Sequence, residues 1–575
     1  MEKINNFWRN FVWPTKKQWG QFFNVASKKE KYTLSVFLII ALTGLIMLGA
    51  RFYLNHSRIE PARGGTYTEG FIGSPRFLNP TLSQLKDADR DLCALIFSGL
   101  LKYNGQGELV SDLAQEYKIG DNGKIYDVIL KDNLKWHDGK DLTIDDVIFT
   151  LQIIQNPEYK SPLRLNWQGV EFEKIDEKTI RFKIKNAYSP FPHNLNFGIL
   201  PKHLWESISP AAFALTELNL KPIGSGPYKF SKLQKDKDGN IKNAELISFD
   251  KYYGNRANID KIIFQFYSSE ELALNALKNG EITGINSISS GQAKNIKTDF
   301  PSFNIYSLQL PRYFAIFFNE SQNAILTDKN IRQALAYATN KKEMIENILS
   351  GYGQEINSSF LPGMTGYSDQ IKKYDFNLDQ AKNLLDAAGW KDADNDGFLE
   401  KNDQKLEITL TTADWPELAQ TAQLIKSQWE KIGFRVNLEI KEIGKIQNDI
   451  IRPRQYQALL FGQTLSIEPD PFSFWHSSQK KDPGLNLSLY ENRDADKLLE
   501  EARQSLDNNE RAQKYQQLSS LLAEDLPTIF LFSLDYLFGV NNGIKGINYQ
   551  GINITSARFG DVNHWYIKAQ RKWQF

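Results

Sequence analysis

Alternation of apolar and polar residues predicts two β-strands in the first third of the chain. Residues 125–130 and 179–184 both alternate in this way, as half-buried strands do. Asp121-Asn122-Gly123 stands directly before the first of them and has the composition of a tight turn. We therefore expect two strands that each present one face to a core.

A helix is predicted between these two strands. Thr143 and Asp146 have the spacing of a capping box, in which each side chain accepts a hydrogen bond from the other residue's backbone. The apolar run 147–154 follows and ends before Pro157. This part of the chain thus reads as strand, turn and helix.

A second unit of this kind lies further along the chain. Residues 406–412 and 434–440 are strand-like, and Gly433 can end the helix between them. That helix has one apolar face, formed by Leu418, Ala422, Ile425, Trp429 and Ile432. Such short links favour a parallel right-handed crossover. Further helices are predicted at 328–349, 378–388, 493–506 and 510–524, so the class is α/β with mixed sheets.

The N-terminal region predicts a membrane anchor. Residues 32–50 carry no charge and are long enough to cross a hydrocarbon core of about 30 Å. Lysine and arginine dominate residues 1–31, a basic, aromatic-rich segment that the positive-inside rule leaves in the cytoplasm. A cleaved signal peptide is the alternative, but the segment is long for that purpose and Leu48-Gly49-Ala50 is a poor cleavage site. We expect an uncleaved single-pass helix, a linker at 51–63 and an extracytoplasmic remainder.

Composition excludes several function classes. Lys+Arg 69 and Asp+Glu 68 leave a net charge of +1, which disfavours a nucleic-acid-binding protein. The lone Cys93 excludes an intrachain disulfide and a cysteine-based metal cluster. The sequence has no H-E-x-x-H pair, no G-x-S-x-G elbow and no phosphate-binding P-loop. No catalytic residue is predicted.

One segment has the spacing of a calcium-binding loop. Acidic residues fall at its first, third, fifth, ninth and twelfth positions, namely Asp392, Asp394, Asp396, Glu400 and Asp403. The twelfth position prefers the longer glutamate, and an Asp/Gly-rich surface turn is the alternative. Calcium is the only cofactor that the sequence indicates.

Short motifs along the chain resemble those of the family 5 extracellular solute-binding proteins, the oligopeptide- and dipeptide-binding receptors of ABC importers. In chain order they include Gly64-Gly65-Thr66-Tyr67, Leu78-Asn79-Pro80, Trp136-His137-Asp138-Gly139, Gly224-Ser225-Gly226-Pro227-Tyr228, Asn330-Ile331-Arg332-Gln333-Ala334 and Asp470-Pro471. Together the motifs are spread over nearly all of residues 64–540, in the order of the family.

The resemblance implies a two-lobed periplasmic-binding-protein type II fold with an inserted subdomain, preceded here by one transmembrane helix. Lobe I would combine residues 62–95, 196–286 and 536–575, the inserted subdomain 96–195, and lobe II 287–535. Peptides would be captured in the cleft between the lobes and delivered to ABC permease subunits, without covalent chemistry.

The resemblance also implies ligand-binding positions. Relatives that bind the ammonium group of a peptide pair it with an acid after a strand of lobe II. This chain has Ser466 or Ile467 at that position, so it departs from the family pattern and lacks the acid that would bind a free amino end. Glu468 lies one or two positions away. The predicted ligand-binding set is Tyr313, Phe314, Asn319, Trp415, Gln463, Ser466, Glu468, Asp470 and Trp475. Core packing is the alternative for the aromatic members, above all Phe314 and Trp475.

Three other functions stay open at this point. The altered acid position keeps a receptor for an oligosaccharide or a metal chelate in view. A signalling ectodomain would need a partner protein, because residues 1–31 hold no recognisable domain. An anchored hydrolase would need a pair of carboxyl groups with one raised pKa, which no motif marks.

Overall fold

The structure is a computed structural model that describes residues 15–466, 468–549 and 554–574. Residues 1–14, which include Trp8 and Trp13 of the predicted basic segment, lie outside the described residues, as does Ile467. The chain divides into two compact units, one of residues 1–62 with 568–575 and one of residues 63–567.

Twenty-two strands are described. They are β1 (Ser57–Ala62), β2 (Thr66–Ile72), β3 (Leu101–Tyr103), β4 (Leu109–Ser111), β5 (Ala114–Gly120), β6 (Ile125–Leu130), β7 (Glu171–Lys174), β8 (Thr179–Lys183), β9 (Tyr228–Lys235), β10 (Ile241–Ser248), β11 (Lys261–Tyr267), β12 (Gly284–Ile285), β13 (Phe303–Gln309), β14 (Arg312–Phe318), β15 (Gly353–Glu355), β16 (Glu400–Lys401), β17 (Gln404–Lys405), β18 (Glu407–Ala413), β19 (Arg435–Lys441), β20 (Ala458–Thr464), β21 (Thr528–Asn541) and β22 (Lys568–Trp573).

The described helices of seven or more residues number twelve. They are α1 (Lys16–Val25), α2 (Lys28–Asn55), α3 (Asp87–Ile96), α4 (Ile144–Gln155), α5 (Glu270–Lys278), α6 (Ser290–Asp299), α7 (Lys329–Tyr337), α8 (Lys341–Asn347), α9 (Leu378–Ala387), α10 (Pro416–Glu430), α11 (Arg493–Gln504) and α12 (Asn508–Asp525). A π-helical turn, Ile446–Ile451, follows the short helix Ile443–Lys445.

The smaller unit contains the predicted membrane helix. Ser27 and Glu30 form a capping box at the start of α2, with the Ser27 N–H donating to Glu30 Oε2 at 2.8 Å. The 28 residues of α2 make it long and apolar enough to cross a membrane. After α2, β1 pairs with β22 in an antiparallel ribbon.

The larger unit is built around one mixed sheet. Its strands follow the order β19-β18-β20-β14-β21-β12-β2-β11-β10-β9, and β13 and β15 also pair with β21. β18 is parallel to β19 and β20, and β2 is parallel to β11 and β12, whereas β14 is antiparallel to both of its neighbours. The fold is therefore mixed α/β, as the sequence predicts.

Several predicted elements match the structure closely. The strand predicted at 125–130 is β6, and Thr143 caps α4 through the predicted box, its N–H donating to Asp146 Oδ2 at 2.9 Å. The two strands predicted around 406–440 are β18 and β19, and they are parallel as expected. Leu418, Ala422, Ile425 and Trp429 are all buried on one side of α10.

The single helix predicted at 328–349 is wrong. The structure has two helices there, α7 and α8, separated at residues 338–340. Asn340 has extended backbone geometry, and its side chain accepts a hydrogen bond from the Glu343 N–H at 3.3 Å, which makes it the N-cap of α8. The Trp429 indole also donates to Thr339 Oγ1 at 3.0 Å, which fixes the break against α10.

Three large clusters of buried apolar side chains lie in the larger unit. Core I takes its members from residues 67–97, 153, 200–266, 308–310 and 536–565. Core II is formed entirely by residues between Tyr313 and Leu534. Core III is formed by residues between Leu100 and Ile199. A smaller cluster joins residues of α5, α6 and their neighbours. The division into lobes with the predicted bounds stays a prediction.

Candidate functional site

Two strand segments carry the chain between core I and core II. Leu308 and Leu310 are buried in core I, and Tyr313 is already buried in core II. β21 crosses in the opposite direction, from Leu534 in core II to Tyr536 in core I. We call these two segments, residues 308–314 and 532–536, the junction. Among the described residues, the backbone passes between the two cores in these two extended segments, an arrangement that hinge motion requires.

Strand ends of the kind that bind ligands meet at the junction. Thr464, the last residue of β20, lies opposite Arg312, the first residue of β14. β18 runs parallel to β20, so its carboxyl end at Ala413 points to the same edge, and α10 begins three residues later. Ligands of open α/β sheets bind beyond the carboxyl ends of strands. This edge is therefore the candidate binding site.

An aromatic and cationic cluster lies at this edge. The rings of Phe314 and Trp415 meet edge to face with centroids 5.4 Å apart, and Phe532 lies 5.4 Å from Phe314 on another side. The Arg312 guanidinium lies 5.9 Å from the ring centroids of both Phe314 and Trp415. Two predicted residues, Phe314 and Trp415, are thus brought together, and an arginine that the sequence reasoning missed joins them. Phe314 is itself buried in core II, whereas Trp415 is only half-buried.

Three other predicted residues lie on the side of β14 opposite Phe314, and they too pack within core II. The Tyr313 hydroxyl donates to Gln463 Oε1, and Gln463 Nε2 donates to the Leu485 carbonyl at 2.9 Å. Trp475 is 1% exposed and packs on Phe530, 5.9 Å between centroids. The contacts of Tyr313, Gln463 and Trp475 are those of core packing and not of an open surface.

Asn319 lies at the far end of β14. It is fully buried, its Nδ2 donates to the Arg454 carbonyl at 2.9 Å, and its Oδ1 accepts from Ser321 Oγ at 2.6 Å. Seven residues separate it from Arg312, which at about 3.3 Å per strand residue is roughly 23 Å. The structure does not bring Asn319 to the junction.

The loop after β20 holds the predicted acid. Ser466 is exposed, and its hydroxyl donates to the Glu468 carbonyl. The Glu468 carboxylate accepts from Arg511 Nη2 at 2.5 Å, and both side chains are largely buried. Burial raises the pKa of Glu468, and the charge of Arg511 opposes this rise. Arg511 therefore already occupies the carboxylate that would substitute for the missing acid of the family.

Asp470 links core II to the region of core III. Its Oδ2 accepts from the Tyr188 hydroxyl at 3.1 Å and from Arg503 Nη2 at 2.9 Å. The Ser189 N–H donates to the Arg503 carbonyl at 3.2 Å, and Tyr188 itself packs against core III. We call Tyr188, Ser189, Asp470 and Arg503 the latch. Sequence reasoning found only Asp470, because no local pattern relates positions 282 residues apart.

The predicted calcium loop is only partly assembled. One carboxylate oxygen from each of Asp392, Asp394 and Glu400 lies within 4.8 Å of the others. Asp396 instead binds Arg435 at 3.1 Å, and Asp403 lies in the turn between β16 and β17, outside this group. Three of the five predicted ligands thus fit a hard cation such as Ca²⁺. Calcium binding stays a prediction.

Comparison with known proteins places the chain in a family. Residues 108–485 match the model for the bacterial extracellular solute-binding proteins, family 5. The oligopeptide-binding protein AppA of Bacillus subtilis is 31% identical over 500 residues, which cover 85% of this chain and 90% of that protein. The chain belongs to the family 5 bacterial extracellular solute-binding proteins, as its motifs predict.

Other relatives and solved structures agree with this assignment. The dipeptide-binding protein of Escherichia coli is 26% identical over 504 residues, covering 82% of this chain and 90% of the relative. The structure of Bacillus subtilis AppA in complex with a nonapeptide has a TM-score of 0.71 at 30% identity, covering 88% of this chain and 100% of that one. NikZ from Campylobacter jejuni in complex with Ni(L-His) has a TM-score of 0.72 at 28% identity, covering 87% and 99%.

Proposed function

We propose that this protein is a membrane-anchored receptor that captures peptides at the junction and delivers them to an ABC permease. The observation that carries the proposal is the junction itself, where residues 308–314 and 532–536 are the described segments that run from core I to core II, beside the carboxyl ends of β18 and β20. The named peptide-binding relatives support the choice of ligand.

Closure about the junction would hold the ligand without covalent chemistry. A peptide entering the cleft would meet the half-buried ring of Trp415, which packs on the buried Phe314. Main-chain hydrogen bonds to such a peptide accept many sequences. The latch joins the region of core III to core II. In a hinged receptor these contacts would form only when the lobes close. A ligand that favours closure shifts the population toward the latched state.

The N-terminal helix would keep the receptor at the cytoplasmic membrane. α2 is long and apolar enough to span, and its start is fixed by the Ser27–Glu30 capping box, a few residues before the apolar run. The lysines of residues 16–31 precede it and favour a cytoplasmic N-terminus. The remainder of the chain would then face the outside as a tethered receptor.

Native mass spectrometry of the full-length protein in detergent, purified from its own cells, tests the proposal. We expect a heterogeneous set of peptides that are released on denaturation and are stable when incubated with the protein. A single bound sugar, an empty protein at all peptide concentrations, or cleavage of added peptides would contradict the proposal.

A metal chelate is the second candidate ligand. It is favoured by the likeness to NikZ, whose solved complex contains Ni(L-His). The same purified protein would then carry stoichiometric metal by elemental analysis, and chelators would remove both the metal and its organic ligand. Peptides without metal would exclude this candidate.

A further inference from the structure

Arg312 is half-buried, and its guanidinium differs from those of the buried arginines that the structure describes. Among the described residues it makes no ion pair and no hydrogen bond, and its Nε is buried without a partner. Its recorded contacts are the faces of Phe314 and Trp415. The Nε–H is thus buried without an acceptor, and the two rings can attract the charge of the guanidinium but accept no in-plane hydrogen bond from it.

Three buried arginines have hydrogen-bond acceptors or acids within the fold. Arg332 donates to three carbonyls, those of Leu326, Asp525 and Leu526, and pairs with Glu320. Arg454 donates to three carbonyls, and Arg511 binds Glu468. Each of these arginines is fixed by acceptors within its own core. Arg312 lies at the junction and has none.

Partial burial of the Arg312 guanidinium without an acceptor disfavours its charged form. Desolvation lowers the pKa of Arg312, and the neighbouring acids Asp87, Glu417 and Asp535 oppose this shift without approaching within ion-pair distance. A buried charge persists in proteins where a partner of opposite charge or strong acceptors satisfy it. At a ligand cleft, that partner can belong to the ligand.

The backbone beside Arg312 also favours an anion. Trp415, in contact with the guanidinium, is the N-cap residue of α10 and supplies no side-chain cap, and the 15-residue helix starts at Pro416. The free N–H groups of a first helical turn carry a partial positive charge. The guanidinium fork and the helix start therefore converge on the same edge of the sheet.

We propose that Arg312 binds a carboxylate of the peptide ligand, so that the receptor selects peptides by a carboxylate presented at the junction. The inference rests on the proposed function and sharpens it. The carboxylate belongs either to the C-terminus of the peptide or to an Asp or Glu side chain. Arginine binds both through the same two-pronged geometry.

Asp535 is the rival partner within the chain. One of its carboxylate oxygens accepts from Ser307 Oγ and the other, Oδ1, is buried without a partner. Because Asp535 lies in the crossing segment of β21, a change at the hinge can bring it onto Arg312. In that case Arg312 would be a hinge residue and would not contact ligand.

The test uses the full-length wild type with R312Q, R312K and D535N. Arg435→Gln is the matched control, because Arg435 also lies over an aromatic ring, that of Phe398 at 4.7 Å, and binds Asp396. Arg435 is the first residue of β19, at the opposite end of the strands from the junction edge. The probe is the most abundant peptide released from the wild type. It is synthesised with a free C-terminus, as the C-terminal amide, and with each Asp or Glu replaced by Asn or Gln.

Calorimetric titration gives the decisive comparison. We expect one of the neutralised peptides to bind the wild type at least tenfold more weakly than the parent peptide, and which peptide it is identifies the source of the carboxylate. R312Q and R312K should bind the parent at least tenfold more weakly, with R312Q distinguishing the acid from the neutral peptide by less than twofold. Arg435→Gln should behave as the wild type.

Other outcomes overturn the inference. If R312Q weakens acid and neutral peptides equally, or if D535N reproduces R312Q, then Arg312 acts through the hinge. If the peptides bind the wild type with no dependence on any carboxylate, the inference fails and the proposed function stands. If no peptide co-purifies, the proposed function fails, and acetate at constant ionic strength then tests the inference alone. Acetate should raise the melting temperature of the wild type by more than that of R312Q. Equal shifts in the two proteins would refute a carboxylate site.

Discussion

The latch offers a prediction whose size follows from the structure. Tyr188→Phe removes one hydrogen bond, the 3.1 Å bond from the phenol to Asp470 Oδ2, and leaves the ring in place. Burial, reinforced by the Asp470 charge, raises the pKa of the Tyr188 phenol, so the hydroxyl is a donor at neutral pH. Asp470 keeps its 2.9 Å bond to Arg503. We therefore assign the loss the lower part of the range for bonds to charged groups, about 1–2 kcal/mol.

This loss should act on ligand affinity. If the latch forms only in the closed state, the apparent affinity falls with the population of that state, and 1–2 kcal/mol corresponds to roughly a 5- to 30-fold higher Kd. The dissociation rate should rise by most of this factor, because the latch forms after the ligand has entered and therefore acts on ligand release. Stopped-flow release and calorimetric titration of the co-purified peptide measure both quantities.

Tyr228→Phe is the matched control. The Tyr228 hydroxyl donates to the Ile259 carbonyl at 2.9 Å, and the side chain is buried wholly within core I. The same atom is removed there, so the free energy of unfolding should fall while the peptide Kd stays within twofold of the wild type. Equal effects of the two substitutions on Kd, or no effect of Tyr188→Phe, would refute the reasoning that the latch belongs to the closed state.

Three further predictions concern stability and the anchor. Lys341, whose Nζ donates to the Ile356 carbonyl and to Asn357, has its pKa lowered from 10.5 to about 8 by burial. Between pH 8 and pH 10.5 the Lys341 amine is therefore protonated in the unfolded state and neutral in the folded state. The free energy of unfolding of the wild type, relative to that of Lys341→Met, should rise over this range by up to about 3 kcal/mol. If denaturant unfolding gives the same difference at every pH, the burial argument is contradicted. Gly363 and Gly366 both have positive φ, but a Cβ at Gly363 meets nothing within 4 Å and one at Gly366 meets the Tyr515 side chain. Thermal unfolding should therefore show that Gly363→Ala lowers the free energy of unfolding by about 1 kcal/mol and that Gly366→Ala lowers it clearly more. Equal losses would contradict the contact between a Cβ at position 366 and Tyr515. Finally, the protein should stay in native membranes after alkaline extraction, and its intact mass should be that of a chain that retains residues 1–31. A soluble chain that begins after residue 50 would instead show a cleaved signal peptide.

Local sequence patterns predicted the elements of this fold well where one residue type decides the geometry. The capping box at Thr143 and Asp146 fixes the start of α4, and Gly433, with φ of 86°, ends the helical segment before β19. The error at α7 and α8 also comes from one residue that decides the local geometry. Asn340 is a strong N-cap within an apolar periodic run, and its capping bond to Glu343 outweighs the continuity of the pattern.

The candidate site was predicted only in part, because its contacts join distant parts of the chain. Phe314 and Trp415 were found through family position and strand-end rules, and the structure does place them in contact. Alternation along β14 separates Tyr313 from Phe314 onto opposite faces, which family position alone did not resolve. Arg312 and Tyr188 have no local signal. Their significance comes from a missing acceptor in one case and from a partner 282 residues away in the other.

Peptide-driven closure at the junction is the central claim, and a distance measurement across the latch tests it most directly. Lys185 and Asn509 are exposed residues on its two sides, and the buried Cys93 is the only native thiol of the chain. Spin labels on Lys185→Cys and Asn509→Cys, read by pulsed electron paramagnetic resonance, should give a longer and broader distance distribution in peptide-free protein. Addition of the co-purified peptide should collapse it to one short distance, and a distribution that does not change on peptide binding would contradict the account.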